Sequence, residues 1–133
     1  MGSYKEHQAL VRKLLVYCHQ NFKKIRLWQI ATGAGVPYAI VKQAIKEKDL
    51  SKLTPIHFGL KGHPDVTGVH CGIWVGIEVK TGNARQSEDQ KNFQKMIKDM
   101  GGVYLVVRAD STLEEQLTPL KKIEEWAHEN GIL

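Results

Sequence analysis

Gly62-His63-Pro64-Asp65, Ile77-Glu78-Val79-Lys80 and Ser87-Glu88-Asp89-Gln90 fall close together in the chain, and their reading decides the fold. Val75, Ile77 and Val79 alternate with Trp74, Gly76, Glu78 and Lys80. A period of two sends the branched apolar residues to one face of a strand and Glu78 and Lys80 to the other. Strand propensity gives no reason for a carboxylate and an ammonium to share the end of such a strand. Asp65, at the start of the strand before it, is the natural third member. The stretch reads as a β-hairpin feeding a helix, with charged groups gathered at one end. Two carboxylates and a lysine converging there suggest a site for a hard divalent cation and a phosphate.

Outward from this stretch, residues 65–69 and 73–80 read as the hairpin strands, with a turn at His70-Cys71-Gly72. Residues 81–86 form a loop. Ser87 caps a helix that turns Phe93, Met96, Ile97 and Met100 inward and stops at Gly101-Gly102. Residues 103–107 form a buried strand, so strand–helix–strand from Ile73 to Val107 predicts a right-handed crossover between parallel strands. A last helical region over 112–130 is interrupted near Pro119 and buries Leu117, Leu120, Ile123 and Trp126.

Upstream, Ser3 and Glu6 form a capping box for a helix running to about Asn21, with Leu10, Val11, Leu14, Leu15 and Cys18 as its apolar stripe. A strand over 25–31 is broken by Thr32-Gly33-Ala34-Gly35. Pro37 then opens a helix to about Lys48 carrying Ile40, Val41, Ala44 and Ile45, and an extended piece covers 55–58. No repeat, linker or low-complexity segment divides the chain. The expectation is a single α/β domain over 1–133, with a mixed β-sheet flanked by helices.

The length of 133 residues and 42% hydrophobic content suit one packed core. Nineteen Lys and Arg against fourteen Asp and Glu give a net charge of +5, which suits a polyanionic partner. No apolar run approaches the ~18 residues of a membrane helix, and no signal-peptide pattern opens the chain. Cys18 lies in a helix, Cys71 in a turn, and no CxxC spacing occurs, so a reduced, intracellular protein without a disulfide is expected.

Phosphodiester hydrolysis needs a nucleophilic water and neutralisation of charge on the phosphate. A Mg²⁺ held by one or two carboxylates, a backbone carbonyl and waters serves both needs. Asp65 and Glu78 are then the carboxylate ligands and the Val79 carbonyl the backbone ligand. Lys80 orients the water and stabilises the transition state. Gln90 is explained by a capping box with Ser87, and it is also placed to reach water or phosphate from the first turn of its helix. Lys61, Arg85 and Lys91 flank the site in sequence and are candidate phosphate contacts. Taken singly, Asp65 reads as a turn residue and Glu78 with Lys80 as an edge-strand ion pair; it is the combination that favours a site.

Gly62-x-Pro64-Asp65, Glu78-x-Lys80, Ser87-x-x-Gln90 and Gly101-Gly102, preceded by Phe58-Gly59-x-Lys61, resemble the virus-type replication-repair nuclease (VRR-NUC) branch of the PD-(D/E)XK nucleases. The motifs span 58–107, and a first helix with Glu6 and Gln8 extends the resemblance. It implies a restriction-endonuclease-like core and a Mg²⁺- or Mn²⁺-dependent endonuclease, with Glu6 supporting the metal site from the first helix. It also implies branched DNA such as four-way junctions as substrate, homodimers, and a phage-encoded protein of the bacterial cytoplasm. The helix at 37–48 has no counterpart in that pattern, and His63 sits at a variable position.

Other readings are weaker. His57, His63, His70 and Cys71 lack the spacing of a structural zinc site. Nothing marks an oxyanion hole for a Cys71 nucleophile. Gly33 and Gly35 precede a helix without the GxxxxGK of a phosphate loop. A non-catalytic basic DNA-binding module, or a nuclease of flaps or plain duplex, is the main alternative. Under the module reading Asp65 and Glu78 would repel phosphate unless a cation intervened.

Overall fold

From the first helix, α1 (Tyr4–Asn21), the chain passes through β1 (Ile25–Gln29), β2 (Gly33–Gly35), α2 (Tyr38–Glu47) and β3 (Ile56–Phe58). It continues through β4 (Val66–His70), β5 (Ile73–Lys80), α3 (Glu88–Asp99), β6 (Val103–Arg108), α4 (Leu113–Gln116) and α5 (Thr118–Glu129). This computed structural model describes residues 4–30, 33–35, 38–49, 51, 56–58 and 60–133, with 33–35, 38–41 and 56–58 described by their backbone. The expected Ser3 cap, the Thr32 break, Pro37, Gly59 and the packing of Ile40 and Val41 lie outside the described residues.

The chain forms two compact units, Met1–Ile30 with Lys61–Leu133, and Ala31–Leu60. The larger is α/β, with one four-stranded mixed sheet in the order β1-β4-β5-β6. β1 and β4 are antiparallel, as are β4 and β5, whereas β5 and β6 are parallel. The parallel pair is joined through α3, as the strand–helix–strand pattern predicts. His70 pairs with Ile73 as the last residue of β4 rather than a turn residue. The turn is only Cys71 and Gly72, at φ 51° and 82°, the two positive values that a two-residue type I′ turn requires.

The alternation places Leu27, Val66, Val75, Ile77, Val79 and Val107 on one face of the sheet, in one buried core with Val11, Leu14 and Cys18 of α1 and Leu117, Leu120 and Ala127 from the C-terminal helices. α3 covers the opposite face, where Phe93 lies 6.4 Å from both Trp74 and Tyr104 between ring centroids. Met96 and Met100, expected inside, are 44% and 78% exposed. α3 meets the sheet chiefly at β6, so only its Phe93 side is covered. Trp126 is likewise 46% exposed, and the buried position on the last turns of α5 is Ala127. The break in the C-terminal helical region falls at Leu117, which caps α5 ahead of Pro119. Cys18 and Cys71 are both free and buried, and burial pushes the Cys18 thiol up to about 12. No described helix is long and apolar enough to cross a membrane.

In the smaller unit β2 and β3 pair antiparallel, Gly33 opposite Phe58 and Gly35 opposite Ile56. Gly-Ala-Gly, read as a break, is thus a short strand. Its residues carry no strand propensity, and the ladder partner comes from a distant part of the chain. Within α2, Ala44 is buried and Ile45 is 66% exposed.

His70 is fully buried, and neither ring nitrogen makes a hydrogen bond. Its ring meets Phe22 edge-on at 5.6 Å, and its Nε2 is 3.5 Å from Glu124 Oε1. Burial, only partly offset by Glu124, holds the imidazole below its ordinary value. The folded state therefore keeps His70 neutral at a pH where the unfolded chain already takes up a proton. The His70 contribution to stability is full above the unfolded value of 6.5 and is lost as pH falls below it. Urea unfolding at pH 7.5 and 5.5 checks this: the wild-type midpoint drops at the lower pH, and His70→Leu shows a smaller drop. An equal drop in both proteins refutes it.

Candidate active site

The β4–β5 register sets Val66 opposite Ile77. One step further, beyond the end of β4, the same register sets Asp65 opposite Glu78, on the face that also carries Lys80. The next step sets Pro64 opposite Val79. Residues 66/77, 68/75 and 70/73 share the phase of the closing pair of a two-residue hairpin, so 64/79 is a position where backbone bonds would be exchanged. Proline has no N–H to give. The Val79 carbonyl is thus left by the ladder, and its N–H donates instead to Asp65 Oδ2 at 2.8 Å. The Asp65 side chain rather than the Pro64 carbonyl thus accepts the N–H at this end of the strand.

Glu78 is fully buried. Tyr104 Oη donates to its Oε1 at 3.3 Å, while Oε2 makes no hydrogen bond. Burial raises its carboxyl above the usual carboxylate range; the Lys80 ammonium, the Tyr104 bond and the Gln86 side chain oppose this, and the Asp65 charge adds to it. Lys80 Nζ stands 4.0 Å from Glu78 Oε1 and donates to Gln90 Oε1 at 3.0 Å. The same Gln90 oxygen accepts the Ser87 N–H at 2.8 Å, and Gln90 N–H donates to Ser87 Oγ at 3.2 Å. Gln90 therefore completes the α3 capping box and holds Lys80 at once. The 81–87 loop is tied down by Arg108, whose Nη1 donates to the Ala84 carbonyl at 2.7 Å.

Gly62 brings the Pro64-Asp65 segment against the first turn of α3. At φ 79° a side chain is strained, and a Cβ there would lie 2.1 Å from the Asp89 carbonyl oxygen. That oxygen belongs to backbone, so α3 itself would have to move. Gly62→Ala is expected to cost about 2–4 kcal/mol, read as a lower urea midpoint with an unchanged slope. A loss below about 0.5 kcal/mol would show that the contact is soft.

Sequence reasoning singled out Asp65, Glu78, Val79, Lys80 and Gln90, and the structure brings all five to one end of the β4–β5 pair. Glu6 is exposed in the first turn of α1. Its neighbour His7 meets this site, with Nε2 3.1 Å from the Val79 carbonyl oxygen and 3.3 Å from Asp65 Oδ2. Lys61, Arg85 and Lys91 are exposed. They lie, respectively, just before Gly62, on the loop after β5 and in the first turn of α3, all segments bounding the site. His7 and Tyr104 were not found from sequence. Tyr104 had a signal: it shares its face with Val106, which pairs with Glu78.

Compared with known proteins, the chain matches no family model, and no curated protein matches it at a significant level.

Among the described residues no group of three or more His, Cys, Asp and Glu side chains is arranged to hold a metal ion. The donors that do meet are of another kind: the Asp65 carboxylate, a main-chain carbonyl and an imidazole, with the unpartnered Glu78 oxygen on the same face. Mg²⁺ and Mn²⁺ keep several waters and need only one or two protein carboxylates. A buried carboxylate oxygen without a hydrogen-bond donor is costly unless a cation meets it. The residues fit such an ion.

Proposed function

We propose that this protein is a divalent-cation-dependent endodeoxyribonuclease of the VRR-NUC branch of the PD-(D/E)XK nucleases. The observation that carries the reading is Asp65 lying across from Glu78 in the β4–β5 register, with Lys80 on the same face and held by Gln90. Branched DNA, four-way junctions above all, is the proposed substrate. The proposed assembly is a homodimer, because symmetrical cutting of a junction takes two sites and each chain carries one.

Asp65, Glu78 and the Val79 carbonyl would hold Mg²⁺ or Mn²⁺, with Glu6 supporting from α1. When bound, the ion supplies an activated water and neutralises charge on the scissile phosphate. Lys80, with one donor committed to Gln90, has further N–H groups to hold the attacking water and the phosphate oxygen. Tyr104 fixes the Glu78 carboxylate through Oε1 and leaves the buried Oε2 to meet the ion. Lys61, Arg85 and Lys91 contact flanking phosphates. A net charge of +5 favours approach to the polyanion.

Incubation with end-labelled four-way junction, flap, splayed-arm and linear duplex DNA, with Mn²⁺ or with chelator, tests the reading. Metal-dependent cutting, fastest on the junction and lost in Asp65→Asn, is expected. Binding without cleavage on any substrate would instead establish a non-catalytic DNA-binding module. Preference for flaps or duplex would keep the nuclease and overturn the junction assignment. Light scattering that shows a resolving monomer would overturn the dimer.

A further inference from the structure

His7 shares one stripe of α1 with Val11, Leu14 and Cys18, at the fourth, seventh and eleventh positions after it. The last three are fully buried, so the packing that holds the helix also fixes where its first turn ends. That placement sets His7 Nε2 3.1 Å from the Val79 carbonyl oxygen and 3.3 Å from Asp65 Oδ2. Both oxygens are those assigned to the cation. Ligands about 2.1–2.3 Å from a six-coordinate ion stand ~3.0–3.2 Å from their neighbours. His7 Nε2 thus stands at about the spacing of neighbouring ligands from each of the two oxygens, one of which Pro64 leaves without a ladder partner.

We infer that His7 is a ligand of the divalent cation and the single nitrogen donor of the site. The inference rests on the cation-dependent reading above and assigns a role that sequence gave to no residue but Glu6 on this helix. In the metal-free protein an Nε2–H can donate to both oxygens. To ligate, the imidazole carries its proton on Nδ1 and offers the Nε2 lone pair, a change of tautomer that leaves the ring neutral. A nitrogen donor among oxygens shifts preference from Mg²⁺, which favours oxygen, towards Mn²⁺ and later first-row ions. This ties the choice of metal to a residue outside the hairpin.

The test uses the full chain with Mn²⁺ as the probe and reads binding rather than cleavage. Electron spin echo measurements on the wild-type protein with Mn²⁺ are expected to show nitrogen hyperfine coupling, lost in His7→Gln. Calorimetry is expected to show the Mn²⁺ Kd rising roughly 10–100-fold in His7→Ala, with a smaller rise for Mg²⁺. Wild-type protein that binds no Mn²⁺, or binding untouched by Asp65→Asn, would overturn the cation reading itself. Binding lost in Asp65→Asn but without nitrogen coupling in the wild type leaves that reading in place and refutes a ligating His7. The spectroscopic measurement needs no variant to fold.

Discussion

Lys80→Ala is expected to lower cleavage of a four-way junction by roughly 10²–10³-fold while changing DNA affinity by less than about threefold. Lys80 is one cation among nineteen Lys and Arg, so its share of the general attraction for phosphate is small. Its position is what sets it apart. The side chain lies between a buried carboxylate at 4.0 Å and an amide oxygen at 3.0 Å, and Gln90 is itself held by the α3 cap. In the proposed reaction an ammonium restrained in this way would face the charge that develops on the phosphate, and an alanine would leave that charge without a donor. Single-turnover cleavage and binding in Ca²⁺, measured on the same preparation, separate the two effects. Undiminished cutting by the variant would remove Lys80 from the chemistry. Loss of binding in step with cutting would make it a phosphate contact only.

Glu78→Gln is expected to act in opposite directions on stability and activity. Glu78 is fully buried, one of its oxygens has no hydrogen bond, and its partner ammonium is 4.0 Å from the other oxygen. An incompletely compensated buried charge destabilises the fold, and a neutral isostere relieves much of that cost. The amide retains an oxygen to accept from Tyr104. A gain of about 1–2 kcal/mol is expected, seen as a melting temperature raised by a few degrees in chelator. Mn²⁺ should raise the melting temperature of the wild type by mass action and leave the variant unmoved. Cleavage by the variant should fall at least 10²-fold. A variant less stable than wild type in chelator would mean that Glu78 is a satisfied structural residue. A variant still stabilised by Mn²⁺ would place the ion elsewhere.

The two expectations share one cause. Glu78 sits where burial disfavours its charge, and function as proposed requires that charge. A cation reconciles the two, because it compensates the carboxylate that the rest of the fold leaves partly unsatisfied. Pro64 beside Asp65 adds to this: the proline withholds a ladder bond from the Val79 carbonyl, which His7 meets, while Asp65 accepts the Val79 N–H.

Much of this was legible in the residues. Alternation along 73–80 put Glu78 and Lys80 on one face, and the hairpin spacing brought Asp65 beside them. Ser87 and Gln90 announced the α3 cap, which the structure contains with both hydrogen bonds. Each of these follows from backbone periodicity or from a local hydrogen bond, and a few neighbouring residues suffice to specify it. Local pattern fails where coverage is decided. The stripe of α3 predicts which side chains point alike, but Met96 and Met100 are exposed because the helix reaches only part of the sheet, and Trp126 is exposed on α5 for a similar reason. The β2–β3 pairing joins Gly-Ala-Gly to a strand more than twenty residues away, and no local preference calls for it.

Sequence alone determined the hairpin, its polar face and the capped helix beside it, since those depend on a two-residue repeat and on bonds within a single turn. Tertiary packing alone decided that His7 and Tyr104 reach that face. Their places are set by how α1, with His7 72 residues before Val79, docks on the core, and by the register of β6 on β5, neither of which a local repeat can fix.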